Sequence, residues 1–195
     1  MQILSNKCGW VALSLLVASG AVHAHTTGLP HMDLLTGVEH PFSGLDHILA
    51  MVAVGLWAAQ LGGRALWSVA LTFVLTMAAG GALGFLGVPL PMVELGIAGS
   101  VVVLGVLVAL ASRLPLAVSM ALVGLFALFH GYAHGAEMAA ESSALWYGLG
   151  FMLATATLHA LGIGMALAAG RGIPARLVRV GGAAIAASGM LLLAA

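Results

Sequence analysis

The chain has 195 residues, 62% of them hydrophobic and 6% charged, with a formal net charge of zero and a mean hydropathy of +1.15. A water-facing domain carries roughly a quarter of its residues charged, so this composition excludes a soluble globular protein and makes lipid the solvent for most of the chain. One Lys, five Arg, two Asp and four Glu leave no basic patch for nucleic acid. The lone lysine, Lys7, leaves no downstream GxxxxGKS/T phosphate loop, and the lone cysteine, Cys8, leaves no disulfide framework or thiolate metal site.

Residues 1–24 carry a basic head at Lys7, an apolar run over about 11–18 and small residues around Val22-His23-Ala24, which predicts a secretory signal removed after Ala24. The alternative is an uncleaved first helix, although the apolar run is shorter than the ~20 residues a span prefers. Both readings put residue 25 outside the cytoplasm, and residues 25–195 are expected to form a single transmembrane domain. A polar lead-in with His25, His31, Asp33 and Glu39 reads as solvated loop. Apolar runs follow at about 42–62, 65–88, 92–111, 115–139, 144–169 and 178–195, each close to the ~20 residues that cross hydrocarbon. The expected fold is all-α, a polytopic bundle of about six transmembrane helices.

Starting outside, the six runs place Arg64, Arg113, Arg171, Arg176 and Arg179 on the cytoplasmic side, in agreement with the positive-inside rule. That arrangement predicts a multi-pass membrane protein with an extracytoplasmic mature N-terminus. The opposite face carries the Pro89/Pro91/Glu94 and Glu141-Ser142-Ser143 turns, with Trp146 and Tyr147 where an interfacial aromatic belt is expected. Glycines at short helical spacing, among them Gly80, Gly81, Gly84 and Gly87, Gly96 and Gly99, Gly148 and Gly150, and Gly162 and Gly164, predict close helix–helix approach.

Ionisable groups within such spans are the informative residues, because each costs about 2.5–3.5 kcal/mol at the bilayer centre on insertion scales. The first cluster is His40-Pro41-Phe42-Ser43-Gly44-Leu45-Asp46-His47. With Pro41 in the first turn of a helix, His40 and His47 would share one face two turns apart, and Asp46 would be a ligand or the carboxylate that fixes a histidine tautomer. The second cluster places His130, His134 and Glu137 at i, i+4, i+7 along one helical stripe. Two histidines and a carboxylate on one face suit a divalent metal. Gly131 and Gly135 keep that region thin enough for another helix, or an ion, to come close. His159, deep in the fifth run, reads as an interhelical hydrogen bond or as an onward step for the ion. His31 and Asp33 read as loop residues rather than ligands. His25 would become the amino terminus after leader removal, a candidate capture site with His31 nearby.

The patterns HPxxGxDH and FHGxAHGxE resemble the HupE/UreJ family, membrane proteins associated with hydrogenase and urease maturation and regarded as nickel permeases. The resemblance covers both motifs, the leader and the number of spans. It implies that His40, Asp46, His47, His130, His134 and Glu137 carry the ion, that Ni²⁺ (or Co²⁺) is cargo with no organic cofactor, and that the protein is a secondary transporter and not an enzyme. A cytoplasmic metallochaperone is a candidate recipient. Nickel/cobalt transporters of the wider group use HxxxxDH, one residue shorter than the spacing between His40 and Asp46 here. Two rival readings are an intramembrane metalloenzyme with Glu137 or Asp46 as general base, against which the sequence lacks HExxH, and a bis-histidine haem carrier using His130 or His134 with His159.

Overall fold

The computed structural model describes residues 30–139, 142–169 and 174–194; the expected leader at 1–24, His25, Glu141 and Arg171 lie outside the described residues. Among these the regular structure is entirely helical: α1 (Pro30–Glu39), a 3-10 turn (His40–Phe42), α2 (Leu45–Leu61), α3 (Ala65–Phe85), α4 (Val93–Leu110), α5 (Leu116–Ala136), α6 (Ala144–Ala169) and α7 (Ala175–Ala194). Helices α3 to α7 are each long and apolar enough to cross a membrane, and α1 with its turn and α2 make a sixth, broken span bent by 81°. The chain is thus the all-helical, multi-pass bundle of about six spans that its hydropathy predicts.

The first span departs from its expected course. From Pro30 on, the polar lead-in is a helix, not a loop, and the run expected from residue 42 becomes α-helical only at Leu45. Pro41 supplies no N–H and occupies the start of the 3-10 turn, while Gly44 takes an extended conformation (φ −100°, ψ 120°) that ends one helix direction and caps the next. His40 and His47 therefore do not share a helix face.

Helix α2 is the axis of the bundle, in contact with α3, α4, α6 and α7. Ala50, Met51, Ala53, Val54, Trp57 and Ala58 are fully buried along it. At its far end the Trp57 indole donates to the Ser112 carbonyl at 2.8 Å and the Gln60 amide to the Val108 carbonyl at 3.0 Å, which pins α2 to the end of α4. Leu71, Leu75, Leu125, Leu153, Leu161 and Leu191 stand exposed on the perimeter, a surface suited to acyl chains and not to water.

In lipid, apolar side chains gain little by leaving their solvent, so association depends on close packing at small residues. A Cβ at Gly80 would run into the carbonyl of Leu128, and one at Gly84 into that of Tyr132. From the other side, Gly131 and Gly135 lie against the carbonyls of Met77 and Gly81. Helices α3 and α5 are thus held backbone to backbone through glycines on both. Gly55 and Gly162 do the same for α2 and α6, as do Gly105, Gly182 and Gly189 for α4 and α7. The expected role fails at Gly87, Gly99, Gly148 and Gly164, which have nothing within 4 Å.

Helix α1 lies along α6, where Gly37 meets the Tyr147 carbonyl and Gly150 the Leu34 carbonyl. Asp33, expected in a solvated loop, is 1% exposed, and its Oδ2 accepts the Ser143 N–H at 3.0 Å. A carboxylate at that point caps α6 from a different helix, where the free amides and the dipole favour negative charge. Loss of a buried, charge-assisted bond costs about 1.5–3 kcal/mol. Asp33→Ala should therefore speed amide hydrogen exchange over α1 at least tenfold and leave the α4/α7 pair unchanged; unaltered exchange in α1 would show that Asp33 does not hold it.

Candidate metal centre

The break at Gly44 brings His40 and His47 to the same place from different directions. His40 sits on the turn beside the C-terminal end of α5, and His47 points inward from the first turn of α2. Both flank His134, with ring centroids 4.7 Å away in each case. Glu137, the residue that caps α5, places Oε2 3.5 Å from His40 Nε2 and 3.9 Å from His134 Nδ1. One ligand atom from each of His40, His134 and Glu137 falls within 4.8 Å of the others. Ligand atoms around a shared first-row ion, at bonds of roughly 2.0–2.2 Å, stand roughly 3–3.5 Å apart. The two Glu137 contacts, at 3.5 and 3.9 Å, are close to that spacing.

Below this trio the histidines continue inward. His134 Nε2 and His47 Nδ1 are hydrogen-bonded at 3.1 Å, and the His47 ring lies 5.2 Å from that of His130. The Ser100 hydroxyl has one proton, which it donates to the Ile97 carbonyl at 2.6 Å. The 2.8 Å bond between Ser100 Oγ and His130 Nε2 therefore has the imidazole as donor and assigns the lone pair of His130 to Nδ1. His47 Nε2 and His134 Nδ1 are buried without a hydrogen-bond partner. An unsatisfied buried polar atom costs about 1–3 kcal/mol, and such atoms in a native fold call for an explanation such as an ion. In the bond the two rings share, one imidazole donates and the other accepts, so one of these two free nitrogens bears a buried lone pair, a ligand position for a cation.

Five of the six residues expected to carry the ion, His40, His47, His130, His134 and Glu137, are brought into this chain of contacts. Asp46 is not. Its Oδ1 accepts the His47 N–H at 2.7 Å, so the carboxylate sits on the N-terminus of α2 beside Gly44, away from the rings. His31 is exposed at the start of α1, and His25 lies outside the described residues. His159 is buried on α6. The Phe73 ring of α3 packs against both inner histidines, 5.9 Å from His130 and 5.2 Å from His159.

Three contributors were not visible as such in the sequence. Ser100 fixes the His130 tautomer from α4, and no spacing rule links the two. Phe151 closes the inner wall, its ring 5.1 Å from His47 and 4.4 Å from His134. Tyr147, expected at the membrane interface, is buried instead, with its ring 5.9 Å from His40. A cavity of about 340 Å³ between α3, α5 and α6 reaches His134 past Met77, Gly81, Gly135 and Met152. Besides His134 its walls carry no imidazole or carboxylate, so the coordinating face of His134 is the one toward His40 and Glu137.

The family model described as HupE / UreJ protein matches residues 13–192. A curated relative, Protein HupE of Rhizobium leguminosarum bv. viciae, is 49% identical over 181 residues, covering 93% of this chain and 94% of its own length. No solved structure matches. The paired histidine motifs, the multi-pass bundle that joins them and a match over nearly the whole length make this chain a member of the HupE/UreJ family.

Proposed function

We propose that the protein is a permease that carries Ni²⁺, with Co²⁺ as a secondary cargo, inward across the bacterial inner membrane to supply hydrogenase or urease maturation. The observation that carries this reading is the rim trio His40–His134–Glu137 continuing without a break into the buried rings of His47 and His130. An ion captured at the exposed carboxylate would have imidazole partners leading inward. Nitrogen and oxygen ligands of this kind suit nickel and cobalt, and the family's association with hydrogenase and urease supports nickel. Arg64, Arg113, Arg176 and Arg179 cluster at the helix ends opposite the histidines, so the positive-inside rule supports an extracytoplasmic cluster. A soluble metallochaperone on the arginine-bearing face is the expected recipient.

With that orientation the membrane potential suffices as driving force. A divalent cation gains about 4.6 kcal/mol per 100 mV on entering a negative interior, twice the ~2.3 kcal/mol per unit charge, which is roughly a thousandfold accumulation. The rival chemistries fit the geometry less well. A hydrolytic metal site needs a free general base, whereas Glu137 is one of the ligand-type groups and Asp46 is committed to the His47 amide. A haem between His130 and His159 would have to occupy the position of the Phe73 ring.

The test is uptake of radiolabelled nickel at nanomolar concentration in cells expressing the protein, with cobalt, zinc and copper as competitors and external pH varied from 8 to 5. Uptake above background, displaced mainly by cobalt, is expected. Imidazoles must be neutral to bind an ion, so acid strong enough to protonate the cluster should abolish uptake. No uptake by correctly inserted protein would refute the permease reading.

A further inference from the structure

One buried histidine takes no part in the outer cluster. His159 lies fifteen residues into α6, roughly 22 Å along the helix at 1.5 Å per residue and so most of the way through a hydrocarbon core of about 30 Å. It is 2% exposed. Its Nδ1 is 2.8 Å from the Met51 carbonyl. A carbonyl only accepts, so Nδ1 carries the proton and the lone pair resides on Nε2. That nitrogen is buried and has no hydrogen-bond partner. An imidazole that donates one N–H to a backbone carbonyl and holds its other nitrogen bare is the arrangement found in histidines that ligate metals, where the carbonyl fixes the tautomer and orients the ring.

The surroundings are polarisable and uncharged. Thr155, one turn earlier on α6 and fully buried, donates its hydroxyl to Met77 Sδ at 3.5 Å, and Phe73, one turn from Met77 on α3, meets the His159 ring edge-on at 5.2 Å. No acidic residue occurs between Ile48 and Val93 or within α6. The backbone is arranged to keep the ring in place: Gly55 packs against the carbonyl of His159 itself and Gly162 against that of Val52, so α2 and α6 touch at this level.

We propose that His159 Nε2 is a second, deeper coordination station for the divalent cation, beyond the outer cluster. This rests on the permease reading and adds an inner step to it. Lacking a carboxylate, the inner station binds more weakly than the rim trio, which suits a site that an ion must leave. An ion there exchanges the anionic ligand of the rim for a neutral imidazole, so occupancy is brief and the station affects rate more than capture.

The decisive variant is His159→Asn, whose amide N–H can replace Nδ1–H toward the Met51 carbonyl while removing the Nε2 lone pair; alanine would remove both and confound ligation with packing. Purified protein in lipid nanodiscs is titrated with Ni²⁺ alone, and nickel uptake is measured in cells at matched membrane levels. Wild type should show two binding steps. His159→Asn should keep the tighter step at unchanged affinity, lose the weaker one, and take up nickel at least tenfold more slowly. Wild-type uptake or two retained steps in His159→Asn would overturn the inner station, and so would loss of both steps, which would mark His159 as structural. Uptake that requires His134 but not His159 would sink this inference alone, whereas no uptake by wild type would sink the permease reading as well.

Discussion

His134→Ala is expected to lower nickel uptake at nanomolar metal at least a hundredfold, the largest single-residue effect in the molecule. Among the described residues His134 alone contacts both parts of the cluster: Nδ1 faces Glu137 at 3.9 Å, Nε2 is bonded to His47 at 3.1 Å, and its ring lies edge-on to that of His40 at 4.7 Å. Its removal takes a ligand from the rim, breaks the contact to the buried rings, and leaves His47 Nδ1 unpaired in addition to Nε2, which already lacks a partner. A hundredfold corresponds to about 2.8 kcal/mol at about 1.4 kcal/mol per decade, a modest sum for one coordination bond together with a severed path. Glu137→Gln should be milder, about tenfold, because the side chain is more than half exposed and loses its charge while keeping an oxygen ligand. The comparison is made at equal membrane abundance with melting temperature as a control for folding. Uptake by His134→Ala within threefold of wild type would move the ion path elsewhere.

What the sequence made legible was what lipid makes expensive. Six apolar runs, the positions of the arginines and the intrusive histidines each follow from a local cost that needs no knowledge of neighbours. The i, i+4, i+7 stripe of His130, His134 and Glu137 was readable because one helix carries it. The juxtaposition of His40 with His134 was not, since it depends on the 81° break before α2, and the expected shared face of His40 and His47 assumed a continuous helix across Gly44. Asp33 and Tyr147 were misplaced for a related reason. Both lie on the α1/α6 contact, and α1 has too little apolar length to announce itself as a packed helix. Ser100 could be matched to His130 only through tertiary structure, because a lone serine in an apolar helix has several equally good partners, including its own backbone, to which it also bonds here.

The second large effect is expected at a residue that supplies no ligand atom, in Gly131→Val. A Cβ at this position would overlap the carbonyl of Met77 and crowd the amide of Gly81. Both are helix backbone and cannot rotate away as a flexible side chain would, so α3 and α5 must separate. Overpacking of this kind costs about 1–3 kcal/mol, and at roughly 2–4 °C per kcal/mol for a chain of this size the melting temperature should fall by about 5–10 °C. The functional loss should be disproportionate. His130 is the preceding residue and His134 lies less than one turn beyond, while their partner His47 is on α2 and does not move with α5. A shift of about 1 Å would open the 3.1 Å bond between His134 and His47 past hydrogen-bonding range, so uptake should drop more than tenfold even where folded protein is recovered. Gly164→Val is the matched control, because nothing lies within 4 Å of a Cβ there and the change costs only helix propensity, a few tenths of a kcal/mol in either direction; its uptake and melting temperature should stay close to wild type. If both variants behave alike, the glycines are not what sets the register between α5 and α2. If Gly131→Val alone loses transport while retaining its fold, the distance between helices, and not the identity of the ligands, is what these glycines protect.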